Sequence, residues 1–316
     1  MVNVVRCFMG RFLKRILFFI LLNFLIMITI GIIVHFFHLD RRVMGTDRDG
    51  LMTLLSFAAI WGFAGSFISL ALSRWIARTL MGIKLIDENT ANGSARLVLE
   101  TVKELAATGG IRMPQVGIFD HDAPNAFATG PTKNRSLVAV STGLLGRMSN
   151  EEIRGVLGHE MSHIFNGDMV TMTLLQGVVN TFSIFFSYLL AFVITRALEG
   201  GREKQRGGRS FLFYFLSDLF RIVFMILGMI GIAAYSRWRE YRADRGSAEL
   251  LGPGPMVAAL RKLQAIANNS EEKMPDSVKA LLIFKERRGM SLFATHPPLE
   301  RRIQALETGE IYSLSR

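Results

Sequence analysis

Long uncharged stretches of apolar residues alternate along this chain with shorter stretches that are charged and periodic. Four apolar runs stand out, at residues 16–34, 51–72, 169–195 and 210–236. At about 1.5 Å of rise per residue, a helix over any of them is long enough to cross a hydrocarbon layer of roughly 30 Å. The fourth run also carries Asp218 and Arg221, which at i and i+3 can neutralise each other or mark a polar cavity. The pattern predicts about four transmembrane or membrane-inserted helices.

The polar stretch after the second run predicts a small sheet followed by a helix. Short segments bounded by proline and glycine predict strands at residues 116–119, 125–128 and 137–141. Ser149 and Glu152 then have the spacing of a capping box, apolar residues recur at helical spacing, and Gly167 supplies a C-terminal stop.

The chain after the fourth run also divides into helix and loop. Glycine and proline alternate over residues 252–255 and predict a break. We then expect an amphipathic helix at 256–267, a polar loop at 268–275 and a last helix at 299–306, whereas the pattern over 281–290 is ambiguous.

Composition agrees with a membrane protein that has a sizeable polar part. Half of the 316 residues are hydrophobic, and the formal net charge is +11. Because the arginines and lysines cluster beside the apolar runs, membrane orientation explains the basic balance more simply than a nucleic-acid partner, and we expect no nucleic-acid binding. Cys7 is the only cysteine, so an intrachain disulfide is excluded.

The flanking charges also predict which side of the membrane each part occupies. Basic residues before residue 16 and after residue 72 outweigh those of the connector between the first two runs, so both outer flanks are expected in the cytoplasm. A signal peptide is the alternative for the first run, but no small-residue cleavage site follows it. The five basic residues of 196–209 conflict with this topology: either the second hairpin does not fully span, or the first hairpin fixes the orientation.

The strongest chemical signal is the segment His159-Glu160-Met161-Ser162-His163, inside the predicted capped helix. Residues i and i+4 share one face of a helix, so both imidazoles can bind one metal ion while Glu160 stands beside its remaining ligand position. This is the spacing that a zinc hydrolase needs.

A third ligand has to come from elsewhere in the chain, because a hydrolytic zinc site has three protein ligands and leaves a fourth position for water. Glu240 and Asp244 lie one helical turn apart, so Glu240 can bind the metal while Asp244 hydrogen-bonds the far nitrogen of a ligating histidine. The alternative is a solvated acidic pair among neighbouring arginines.

A membrane hairpin separates these proposed ligands, since His163 precedes the third run and Glu240 follows the fourth. The metal is therefore expected within roughly 10 Å of the membrane surface. The expected organisation is an N-terminal transmembrane hairpin, a cytoplasmic catalytic part, a second membrane hairpin and a C-terminal catalytic part, at residues 1–80, 81–168, 169–236 and 237–316.

These motifs resemble those of the HtpX-type membrane zinc metalloproteases, which are related to the CAAX prenyl proteases. The resemblance covers nearly the whole chain and rests on the segments 159–163, 166–168, 240–244, 125–127 and 295–298. It implies a mostly α membrane protein whose zincin-like α+β catalytic domain contains a small β-sheet.

The resemblance also implies roles for individual residues. His159, His163 and Glu240 would hold one Zn²⁺, and Glu160 would be the general base. His296 would be a catalytic donor to the oxyanion, with Arg302 behind it as transition-state support, although Arg301 is equally available. A sheet with a free edge can bind an extended peptide, and the implied edge residues are Asn125, Ala126 and Phe127, with an ordinary core position as the alternative for Phe127.

The expected function is a zinc-dependent endopeptidase of the bacterial inner membrane with a cytoplasmic active site. Its expected partners are the lipid bilayer and membrane-protein or unfolded polypeptide substrates, as quality control requires. One alternative is a dedicated processing protease for a single lipid-modified substrate. The other is a non-catalytic scaffold that keeps zinc for structure, which the presence of Glu160 argues against, because a structural zinc site needs no general base.

Overall fold

The computed structural model describes residues 48–89, 91–198, 211–272 and 290–314. The predicted span at 16–34, most of the basic connector at 196–209 and nearly all of the ambiguous stretch at 281–290 lie outside the described residues. The chain divides into two compact units, Met1–Ala58 and Ala59–Arg316. Apart from the beginning of the first helix, everything below belongs to the second unit.

The described elements are helices with one small sheet, which confirms the mostly α class. In chain order they are α1 (Arg48–Met81), β1 (Lys84–Leu85), α2 (Gly93–Thr108), β2 (Gln115–Phe119), β3 (Ala126–Thr132), β4 (Arg135–Ser141), α3 (Thr142–Arg147), α4 (Asn150–Asn166), α5 (Asp168–Leu198), α6 (Phe211–Leu251), α7 (Pro253–Glu272), a 3₁₀ turn (Met290–Phe293), α8 (Leu299–Thr308) and α9 (Ile311–Leu314).

Within the described ranges, α1, α5 and α6 are long and apolar enough to cross a membrane. They contain the second and third predicted runs and the fourth from residue 211 onward, since Ser210 lies outside the described residues. Those three predictions are confirmed by length and composition. Helix α6 continues well past its apolar run, to Leu251, so Glu240 and Asp244 lie on the same continuous helix as that run.

The apolar helices pack through small and polar residues. Gly177 of α5 lies directly against the ring of Phe63 in α1, and Gly228 of α6 lies against Val179 of α5. Asn180 of α5 donates a hydrogen bond to the carbonyl of Gly62 at 3.3 Å. Because lipid offers no alternative partner to a buried amide, such contacts fix how helices pair inside a bilayer.

The four strands form a mixed sheet in the order β1-β2-β4-β3, with β2 parallel to β4 and the other pairs antiparallel. The predicted strand at 125–128 is wrong at both ends, since β3 begins at Ala126 and runs to Thr132. Gly130 does not end it because this glycine adopts φ +146° and its missing side chain lets the backbone of Arg135 and Ser136 come close. The two-residue strand β1 is too short for sequence periodicity to reveal.

The two faces of the sheet have different neighbours. Ala126, Ala128, Val138 and Val140 pack into the core that α2 and α4 share. The opposite face carries Phe127, Phe119, Leu137 and Ala139, together with Ala77 and Met81 from the end of α1.

Helix α4 has the capping box that the sequence predicts, with Ser149 Oγ accepting from the Glu152 amide and Gly167 ending the helix at φ +70°. Helix α7 differs from its prediction, because it begins at Pro253, where the missing N–H costs nothing, and ends at Glu272. The predicted loop is therefore wrong over residues 268–272, since extending an existing helix needs little intrinsic propensity. Helix α8 begins at Leu299, as predicted.

Candidate active site

Helices α4 and α6 bring the three predicted metal ligands together, because glycines let the two helices approach closely. A Cβ on Gly158 of α4 would lie 2.6 Å from Ser247 Oγ of α6. The same Ser247 hydroxyl donates to the carbonyl of Gly155 at 3.0 Å. The contact aligns one face of α4 with the face of α6 that carries Glu240.

Three donor atoms converge between these helices. His159 Nε2 lies 3.2 Å from His163 Nε2 and 3.4 Å from Glu240 Oε2. The distance from His163 Nε2 to Glu240 Oε1 is 3.5 Å. All three residues are buried, and they are the group that, among the described residues, could hold a metal ion.

The distances fit a tetrahedral zinc ion. With bonds of about 2.0–2.1 Å, two ligands of a tetrahedral zinc are separated by about 3.3 Å. Two imidazole nitrogens and one carboxylate oxygen are also the donor set of a hydrolytic site, in which the fourth position stays open. The residues therefore fit the metal that the sequence motif predicts.

Each histidine is oriented by a carboxylate at its other nitrogen. His159 Nδ1 lies 2.9 Å from Asp244 Oδ1, and His163 Nδ1 lies 2.6 Å from Asp168 Oδ2. Nδ1–H donation to these carboxylates leaves the Nε2 lone pairs facing the metal position. No role is predicted for Asp168 from the sequence, although the segment 166–168 is among those that carry the family resemblance and Asp168 directly follows the Gly167 cap.

Glu240 and Asp244 are not a solvated acidic pair, and that alternative is wrong, since they are 1% and 0% exposed. Arg239 of α6 approaches Glu240 with 3.3 Å between Nη2 and Oε1. Both carboxylates are thus buried, and the positive charge of Arg239 lies beside the negative charge of Glu240.

Arg302 is the arginine that the fold buries, while Arg301 beside it is exposed. Its Nε donates to Asp244 Oδ2 at 2.7 Å and its Nη2 to Oδ1 at 2.6 Å. The guanidinium also comes within 3.6 Å of Glu240 Oε2 through Nη1. Arg302 therefore lies behind the histidine–aspartate pair, where its guanidinium can orient the ligands.

His296 reaches the site from the segment before α8, with Nδ1 2.9 Å from Glu240 Oε2. Its side chain is 62% exposed, so it stands at the open side of the site. Arg237, three residues before Glu240 on α6, holds this segment by donating from Nη1 to the carbonyls of Ala294 at 2.7 Å and Leu292 at 3.2 Å. Sequence reasoning missed Arg237, because nothing local links it to residue 294.

Glu160 is half-buried on α4 beside His159. Burial acts to lower the pKa of the Arg302 guanidinium, but its interactions with Asp244 above all, and then with Glu240 and Glu160, leave that pKa raised. Burial lowers the pKa of His159, but hydrogen bonds to Asp244 and Glu240 outweigh this effect and raise it to about 9. A metal ion binding there at neutral pH therefore displaces a proton.

Strand β3 forms one edge of the sheet and lies against α4 and α5. Ser141 donates its amide proton to the Asn125 carbonyl at 2.8 Å. Because hydrogen-bonded and non-hydrogen-bonded pairs alternate along an antiparallel ladder, the register of β3 on β4 makes Phe127 and Ala139 the next hydrogen-bonded pair. The amides and carbonyls of Ala126 and Ala128 consequently point away from β4. The Phe127 side chain packs on Phe119 at 5.6 Å, on the sheet face away from α4.

Comparison with known proteins agrees with this site. The model of peptidase family M48 matches residues 94–310. Protease HtpX of Idiomarina loihiensis is 46% identical over 296 residues, which cover 93% of this chain and 99% of the relative. The HtpX homologue of Methylacidiphilum infernorum is 45% identical over 299 residues, which cover 93% and 98% of the two chains.

The crystal structure of S. mikatae Ste24p has a similar fold, with a TM-score of 0.60, 18% sequence identity and 90% of this chain covered. This chain spans 65% of the length of that structure. Together with the convergent histidines and glutamate and the three apolar helices, the matched residues show that the chain is a membrane metalloprotease that belongs to peptidase family M48 and resembles its HtpX members.

Proposed function

We propose that the chain is a zinc-dependent endopeptidase that cleaves membrane proteins, or unfolded polypeptides at the membrane, from the cytoplasmic side of a bacterial inner membrane. The observation that carries the proposal is the convergence of His159, His163 and Glu240 at 3.2–3.5 Å between two helices. Helix α5 begins two residues after the end of α4, which keeps the site close to a membrane-spanning helix.

His159, His163 and Glu240 would hold the zinc. When bound, zinc lowers the pKa of its water and polarises the scissile carbonyl. Glu160 takes the proton of the attacking water and later gives it to the leaving amine. His296 stands at the exposed side of Glu240, where its ring can donate a hydrogen bond to the oxyanion that develops on the carbonyl. Asp244, Asp168 and Arg302 hold the ligands in place.

The proposed substrate site is the free edge of β3. An extended peptide that pairs with the outward amides and carbonyls of Ala126 and Ala128 gains backbone hydrogen bonds with little demand on its sequence. This suits a protease that meets many substrates. We assign no substrate contact to the side chain of Phe127.

Ala128→Pro is expected to weaken peptide cleavage about tenfold, because it removes an outward N–H and one backbone hydrogen bond is worth up to about 1.5 kcal/mol. Edge strands tolerate proline where the N–H is unpaired within the sheet. The measurement is kcat/KM on an unfolded protein substrate, with Ala128→Ser as the matched control that keeps the N–H. Equal kcat/KM for the two variants, at equal thermal stability, contradicts binding at this edge.

Asp168→Asn is expected to weaken zinc binding about 10- to 100-fold, since a carboxylate behind a ligating imidazole raises its basicity and fixes its orientation. The dissociation constant is measured by competition with a chelator. Asp122→Asn makes the same change of charge at an exposed position and should leave the affinity unchanged. An Asp168→Asn protein with the affinity of the unchanged chain rules out this role.

The proposed topology places residues 81–168 and 237–316 on the cytoplasmic side, with the N-terminal hairpin and the α5–α6 hairpin as membrane parts. Support comes from α5 and α6, which pack on each other and are consecutive among the described elements. Two successive spans return the chain to the side from which it entered, so His163 before α5 and Glu240 on α6 lie on one side in this topology. The basic residues that follow the apolar run of α1 favour the cytoplasm for that side.

A substrate trap tests the proposed role in quality control. Cells that carry the Glu160→Gln chain should accumulate many unrelated membrane proteins bound to it, identified by crosslinking and mass spectrometry. A single lipid-modified protein in the trap would instead favour the dedicated processing protease.

A further inference from the structure

Apart from the active site, the chain has an open cleft of about 520 Å³ where the end of α1 meets the sheet. Its lining includes Arg74, Trp75, Arg78 and Thr79 of α1 and Gln115, the first residue of β2. None of these residues belongs to the proposed zinc site or to the β3 edge. The proposed peptidase activity therefore assigns no role to this cleft.

The position of the cleft along α1 corresponds to the headgroup layer of a bilayer. The helix section that could span a membrane has 32 residues, or about 48 Å, which exceeds a hydrocarbon core of roughly 30 Å. The uncharged run ends at Leu72, and at about 33 Å it already accounts for the core. Arg74 and Arg78 follow immediately, so they lie where lipid phosphates lie.

The two arginines are suited to bind a phosphate. They are one helical turn apart and line the same cleft, and neither guanidinium has a hydrogen-bond or salt-bridge partner among the residues that the structure describes. Guanidinium groups bind phosphate oxygens bidentately, which a single lysine cannot do. Gln115 and Thr79 add neutral hydrogen-bonding groups to the lining.

Exposed apolar side chains accompany the charges. Trp75 is 66% exposed, and Leu72, at the end of the apolar run, is 45% exposed. Tryptophan prefers the boundary between headgroups and hydrocarbon, and a ligand that also carries acyl chains can contact these side chains. This combination favours a lipid over a small soluble phosphate compound.

The cleft is rigidly connected to the catalytic sheet. Gly82 follows the end of α1 with φ +62°, and buried Ile83 packs on Phe119 and Leu137. Lys84 then pairs with Ile118 of β2. A ligand held between α1 and β2 would therefore fix the height and tilt of the sheet relative to the membrane.

We propose that Arg74, Arg78 and Gln115 form a binding site for the phosphate group of an anionic membrane lipid, with Trp75 against its glycerol and acyl region. A lipid bound there stabilises the connection between α1 and the catalytic sheet. Lipid binding at this site requires neither zinc nor peptide hydrolysis.

The test is native mass spectrometry of the full chain in a neutral detergent, titrated with phosphatidylglycerol. We expect one tightly bound lipid, and at least a tenfold weaker affinity in the Arg74→Gln/Arg78→Gln double variant. Arg74→Lys/Arg78→Lys should fall between the two, because it keeps the charge and loses the bidentate geometry. Thermal unfolding confirms that each variant is folded.

The matched control is the Arg112→Gln/Arg147→Gln double variant, which removes the same charge at two exposed positions outside the cleft and should change the affinity less than twofold. An equal loss in both double variants would mean that net charge alone attracts the lipid and would overturn the proposal. A further arm adds inorganic phosphate or glycerol 3-phosphate as a competitor. Displacement of the lipid at equal concentration would assign the cleft to soluble phosphate compounds and overturn the lipid assignment.

Discussion

Glu160→Gln is expected to lower kcat for peptide cleavage by about 10²- to 10⁴-fold, the usual contribution of a positioned acid–base group. Glutamine keeps the size of the side chain but cannot take a proton from water. Because Glu160 is not among the three residues that converge on the metal position, the zinc content should stay near that of the unchanged chain. Cleavage of an unfolded protein substrate and metal analysis of the same sample give both values.

Glu151→Gln is the matched control for this substitution. It removes a carboxylate from the exposed first turn of the same helix and should leave both cleavage and zinc content unchanged. Full activity in the Glu160→Gln chain would mean that another group is the base.

Glu240→Ala should release the zinc, because only two protein ligands remain. In the unchanged chain the Glu240 carboxylate lies 2.9–3.6 Å from His296, Arg239 and Arg302. The substitution removes this shared partner from all three side chains. Zinc content after dialysis should fall below about one tenth of that of the unchanged chain, and cleavage should be lost with it.

Glu249→Ala on the same helix is the control for Glu240→Ala. Glu249 is exposed and, within the part of the chain that the structure describes, pairs with Arg245 four residues earlier. Such a pair contributes about 0.5 kcal/mol or less. The Glu249→Ala chain should therefore keep its zinc and its activity. Retention of zinc in Glu240→Ala with the fold intact would show that the third ligand is another residue.

The parts of the fold that the sequence predicts well are those with a local cause. The apolar runs of α1, α5 and α6 are visible as composition, and the capping box at Ser149 is a contact between residues three apart. His159 and His163 share a helix face by their spacing alone. None of these needs knowledge of the rest of the chain.

The supporting contacts of the site could not be predicted because they join distant segments. Arg302 reaches Asp244 across 58 residues and Arg237 reaches Ala294 across 57. In the sequence Arg301 and Arg302 are equivalent candidates, and burial of one face of α8 is what distinguishes them. The choice of Glu240 as third ligand rested on its one-turn spacing from Asp244, on the membrane hairpin and on a resemblance, because no local pattern links Glu240 to His159.

The ends of strands and helices were also predicted less well from the sequence. Gly130 reads as a strand boundary in the sequence, yet its φ of +146° lets β3 continue to Thr132. Polar residues after 267 read as a loop, although helix α7 simply extends to Glu272. In both cases the tertiary contacts or an established helix overrode the local preference.

X-ray absorption at the zinc edge of the purified chain, together with metal analysis of the same sample, measures the proposed ligand set itself. We expect one zinc per chain, bound by two imidazole nitrogens and by oxygen at about 2.0–2.1 Å, with no sulfur ligand. The signal should disappear in the Glu240→Ala chain. A zinc-supplemented chain that binds no metal, or a spectrum that is identical in the unchanged and Glu240→Ala chains, would contradict binding by His159, His163 and Glu240.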